Sequence, residues 1–103
     1  MKFTTLAPAI ITLLHSTAYA SLAGVPCCQS DINLCKSFSD REGCVKVGDR
    51  PYCVVSNKDP TCIAECKAHT KPPVHEWWAY KPPNQDRLCV CTRFQAAAPG
   101  LKC

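Results

Sequence analysis

The ten cysteines are the residues of this 103-residue chain with the most chemistry to offer, and every one lies beyond residue 26. Close thiolates can hold zinc, attack a carbonyl or oxidise to a bridge. Zinc sites favour Cys-x2-Cys pairs, which do not occur in this chain. A nucleophilic thiol needs a base beside it, and beyond residue 20 only His69 and His75 remain. The even count lets Cys27, Cys28, Cys35, Cys44, Cys53, Cys62, Cys66, Cys89, Cys91 and Cys103 pair completely, in up to five disulfides. Bridging is therefore the chemistry expected of them.

The remaining candidates for catalysis are thin. There is no Gly-x-Ser-x-Gly elbow, and a chain this short leaves little room for a substrate cleft between paired carboxylates. His69 reads as a favourable charge at a helix end, and His75 as a polar strand residue. No catalytic residue, metal or cofactor is assigned, and the expectation is a protein that is not an enzyme.

Residues 71–83 hold both tryptophans between two Lys-Pro-Pro repeats. Trp77, Trp78 and Tyr80 could present aromatic surface to a glycan or a partner protein, since such residues dominate binding hot spots. The competing reading packs a tryptophan over the disulfides. Neighbouring strand residues face opposite ways, so one tryptophan is expected in the core and the other exposed.

Positioning these groups requires few elements. Asp59 and Pro60 suit the cap and first position of a helix reaching His69, with Lys67 near its end. Residues 44–47 and 52–55 are β-branched runs around Gly48-Asp49-Arg50-Pro51, which predicts a hairpin with those four residues in its turn. Residues 74–80 and 88–94 read as a second hairpin around residues 82–86. Residues 28–44 are ambiguous between helix and strand, residues 39–43 read as a turn, and residues 21–26 as a flexible lead-in. The fold expected is small, disulfide-rich α+β, one short helix on antiparallel hairpins.

Spacing connects the elements. Cys62 and Cys66 are four apart, one turn along a helix face, and Cys89 and Cys91 are two apart, on one side of a strand. Two roughly parallel bridges could clamp that helix to that strand; bridging elsewhere is the alternative left open. Adjacent Cys27 and Cys28 point to opposite sides of an extended segment and must reach different partners.

The N-terminus carries Lys2, an apolar run from Leu6 to Leu14 broken by Pro8 and Thr12, and Ala18-Tyr19-Ala20. This is the pattern of a cleavable secretion signal over residues 1–20, followed by a single cysteine-rich domain over 21–103. The run is too short to span a bilayer, so no transmembrane anchor is expected. Of the twelve Lys and Arg only Lys2 leaves with the leader, so eleven bases face eight acids and the processed chain carries a formal +3. The bases are dispersed among acids, which argues against nucleic acid as a partner.

Residues 62–91 resemble the cysteine-stabilised αβ motif of defensins, without its Gly-x-Cys or an intervening cysteine. The leader and the ten cysteines together resemble the small secreted apoplastic effector and avirulence proteins of plant-pathogenic fungi, the tomato leaf-mould type among them. That resemblance implies a secreted, non-enzymatic, monomeric virulence protein acting in the host apoplast. Its implied partners are a host extracellular protein or glycan and a plant immune receptor. A defensin-like antimicrobial peptide and a protease inhibitor presenting Arg50-Pro51 or the aromatic segment on a braced loop are the rival readings.

Overall fold

The computed structural model describes residues 21–69 and 76–103. The expected leader and His75 lie outside them. The described chain is a small disulfide-rich α+β fold of β1 (Ser21–Ala23), α1 (Gln29–Lys36), β2 (Gly43–Val47), β3 (Arg50–Ser56), α2 (Pro60–Ala68), β4 (Trp78–Lys81) and β5 (Cys89–Thr92). The five strands run in the order β1-β5-β4-β3-β2.

The α2 helix begins where its sequence dictates. The Asp59 carboxylate accepts hydrogen bonds from the Thr61 amide at 2.8 Å and the Cys62 amide at 3.3 Å. Pro60 takes the first position, where its missing N–H costs nothing. His69 is the C-cap, its amide bonded back to Glu65 and Cys66 carbonyls.

Both hairpins form, the first more tightly than expected. Val47 pairs with Arg50, so the turn is Gly48-Asp49 alone, and Gly48 adopts a φ of +63°. A positive φ at the first turn residue is the geometry glycine permits without strain. Arg50 and Pro51 consequently belong to β3 rather than to a projecting loop, which removes one of the two loops offered for the inhibitor reading and leaves the aromatic segment. Pro51 sits opposite Lys46, whose N–H and C=O turn away to Val25, so its lack of a donor breaks no rung of the ladder.

The segment read as a flexible lead-in is structured. Ser21, Leu22 and Ala23 pair in parallel with Cys89, Val90 and Cys91. Two residues on, Val25 and Lys46 exchange backbone hydrogen bonds of 2.9 Å. One continuous segment thus ties both edges of the sheet and wraps it towards a barrel. Gly24 makes this closure sterically feasible: a Cβ there would run into Val45 and come within 3.0 Å of the Val90 side chain. Val45, Val54, Tyr80, Val90 and Ala96 fill the interior, with Trp78 and Phe94 packed against them.

A second helix, α1, occupies the stretch left ambiguous between helix and strand, so among the described residues two helices rather than one brace the sheet. Cys27–Cys44 and Cys35–Cys53 pin α1 and its approach to β2 and β3, with Ile32 buried among the sulfurs. Cys62–Cys89 and Cys66–Cys91 pin α2 to β5. Cys28–Cys103 joins the start of α1 to the last residue. Cys27 and Cys28 do part to different partners, the helix–strand clamp forms as its spacing predicts, and no cysteine is free.

Candidate functional site

Between β1, β5 and α2 the surface opens into a groove of about 550 Å³. Its position follows from the clamp. On β5, Cys89 and Cys91 face α2 while Val90 and Thr92 are buried on the barrel side, so the α2 side of the strand carries bridges rather than large side chains. The Cys66–Cys91 bridge and Trp77 form part of the lining, and β1 contributes Leu22. Past the strand ends, Pro26, Arg93 and Phe94 line the same groove.

Trp77 and Trp78 are each half-buried, on opposite faces of the strand. Trp77 packs against the cluster of Cys62, Cys66, Ala79 and Cys89, and Trp78 against the barrel interior. The expected division into one core and one exposed tryptophan is therefore softened: both lend a face to packing, and Trp77 also lines the groove. Tyr80 departs further from expectation. Only 4% exposed, it offers no surface to a partner, because the alternation that turns Trp78 inward turns Tyr80 inward as well. Its hydroxyl accepts a 2.9 Å hydrogen bond from the Ala96 amide. Burial pushes the phenol up from its ordinary range, the Ala96 bond pulls the other way, and the nearby Glu42 charge adds to the rise.

One end of the groove is polar. The Ser21 hydroxyl lies 3.0 Å from His69 Nε2 and 3.5 Å from Glu65 Oε1. His69 is thus more than a charge at a helix end, because it reaches across to β1. A serine–histidine contact at this distance is what nucleophilic catalysis uses, but here the carboxylate addresses the hydroxyl. Among the described residues none bonds His69 Nδ1, the atom an orienting partner of such a base would hold. At the other end Arg93 is exposed, and no described residue forms an ion pair with its guanidinium.

Sulfurs of Cys62, Cys66 and Cys89 lie within 4.8 Å of one another, close enough to share one metal ion. Each is bound in a disulfide, and an oxidised sulfur supplies no thiolate ligand.

Sequence reasoning placed Trp77 and the bridges but missed Ser21, Leu22, Arg93 and Phe94. The groove depends on β1 pairing with a strand some 68 residues away, and a three-residue Ser-Leu-Ala strand carries no periodic signal of its own. The groove side of Arg93 could have been anticipated, since it continues the alternation of Cys89 and Cys91.

Comparison with protein-family models, with curated proteins and with solved structures finds no match to this chain.

Proposed function

We propose that this protein is exported by a plant-associated fungus and acts in the host apoplast as a non-enzymatic effector, binding a host component and detectable by a plant immune receptor. The observation that carries the reading is the frame: all ten cysteines are paired, and the bridges brace both helices, both hairpins and the C-terminus. Such density belongs to compartments that oxidise thiols, and it protects a small domain where proteases are abundant. Among the described residues no helix is long and apolar enough to cross a membrane. The half-buried Trp77, at the groove, is the binding element.

Infiltration of the folded protein into leaves of a panel of plant genotypes tests this. A defence response confined to some genotypes is expected, without leakage from lipid vesicles and without arrest of microbial growth at comparable dose. Killing in every genotype together with vesicle leakage would overturn the effector reading. It would promote the antimicrobial one, which the α2–β5 clamp favours and the dispersed charge does not.

A further inference from the structure

We infer that the groove between β1, β5 and α2 binds a free amphiphilic carboxylate, its charge at Arg93 and its apolar body along Leu22, Trp77 and Phe94. The volume of about 550 Å³ lies within the range of small-molecule sites. The walls are chiefly carbon and disulfide sulfur, so an apolar body gains by leaving water there.

Charge fixes the orientation. Glu65 stands at the Ser21 end, where it contacts the serine hydroxyl and disfavours a second carboxylate. His69 at that end is already engaged with Ser21. Arg93 stands at the opposite end with no ion-pair partner among the described residues, and a guanidinium presents a fork of donors suited to a carboxylate. Ser21 pairs with Cys89, so four residues of β5 and its extension separate the two ends. At about 3.3 Å per residue that is roughly 13 Å, the length of an extended ten-carbon chain.

An oligosaccharide fits the same space poorly. It needs polar partners along its length, whereas Leu22, Trp77, Phe94 and the Cys66–Cys91 bridge are prominent in the lining. Thr92, which also lines it, already donates its hydroxyl to the Phe94 carbonyl.

The test uses the disulfide-intact secreted protein with 8-anilinonaphthalene-1-sulfonate as reporter, displaced by decanoate or by decanol, each below its aggregation limit. Decanoate should displace the reporter at least about tenfold more effectively than decanol. Arg93→Gln should abolish that preference while leaving decanol unchanged, and Trp77→Ala should weaken both. In NMR spectra decanoate should shift the Trp77 indole and the Leu22 methyls. Equal displacement by the two ligands, no displacement, or a preference that survives Arg93→Gln would overturn the inference. So would shifts confined to Trp78, or co-sedimentation with phosphatidylglycerol vesicles in place of binding to free decanoate. These readouts need no plant, so failure here leaves the effector reading standing, and a genotype-independent leaf response leaves the ligand class standing.

Discussion

Cys66 Sγ and Cys89 Sγ belong to different bridges, yet lie 3.8 Å apart in the buried cluster beneath α2. Removing one outer partner should therefore let the inner sulfurs exchange. In Cys91→Ser, the freed Cys66 thiolate can attack Cys89, form a Cys66–Cys89 bridge and release Cys62 as the thiolate. Peptide mapping after incubation at about pH 8.5, where thiolate is available, should find both the Cys62–Cys89 and Cys66–Cys89 isomers. A lone Cys62–Cys89 species would contradict the proximity.

The Cys28–Cys103 bridge spans 75 residues, the longest separation of the five. Closing so long a loop restricts the unfolded chain most, and the double variant Cys28→Ser/Cys103→Ser should lose about 2 to 4 kcal/mol in urea unfolding. The tail should stay docked, because Leu101 N donates to Cys27 O at 2.9 Å and Gln29 N to Leu101 O at 2.8 Å. Hydrogen exchange at Leu101 should quicken without becoming that of an unfolded peptide.

How much could be read in advance depended on how local each cause was. Asp59-Pro60 capping and the 62/66 and 89/91 spacings act within a few residues, and they were legible as α2 and its clamp. The α1 helix was not, because Cys28 at its N-cap makes no side-chain bond to it, and bridges rather than a strong apolar face hold it down. Barrel closure through Gly24 and Val25 was illegible for another reason: its partners, Cys91 and Lys46, are chosen by tertiary packing alone. The groove inherits that illegibility, since β1 forms one of its walls. Tyr80 went unrecognised as core because its aromatic neighbours drew it into a surface reading, although alternation with Trp78 already placed the two together.

Tyr80 supplies a pH test. Its raised pKa means that the folded state keeps the phenolic proton after an unfolded tyrosine, near 10, has lost it. Above about pH 10 the native state thus binds more protons than the unfolded one, and stability falls as pH rises. Rapid urea unfolding at increasing alkaline pH should show that decline in the parent protein. Tyr80→Phe should flatten it while costing about 1 to 3 kcal/mol near neutrality, because the Ala96 amide loses its buried acceptor.

Gly24 and Gly48 separate two reasons for needing glycine. At Gly24 a Cβ would collide with Val45 and lie 2.9 Å from Thr92 Cγ2, so Gly24→Ala should cost about 1 to 3 kcal/mol through overpacking. Combining it with Val45→Ala should cost less than the sum of the two single changes. At Gly48 no atom lies within 4 Å of the added carbon, but φ is +63°, so Gly48→Ala should cost about 1 to 2 kcal/mol that no neighbouring substitution relieves. Thermal unfolding of the variants and of the Gly24/Val45 cycle checks both.

The two tryptophans should divide binding from folding. Trp78 packs from a half-buried position against the cluster that Val45, Val54, Tyr80, Val90 and Ala96 form, so Trp78→Ala should lose about 2 to 3 kcal/mol, below the usual cost of truncating a fully buried tryptophan. Trp77 rests on bridges that remain covalently closed without it, and its indole also lines the groove. Trp77→Ala should therefore keep native disulfides and most of the unfolding midpoint and, under the proposed effector function, abolish the genotype-dependent leaf response which that function expects. Measured side by side, the variants should rank oppositely in stability and in activity. If Trp77→Ala retained the full leaf response with its bridges intact, the binding role assigned to this side chain would be wrong, and the host-facing surface would have to be sought elsewhere on the fold.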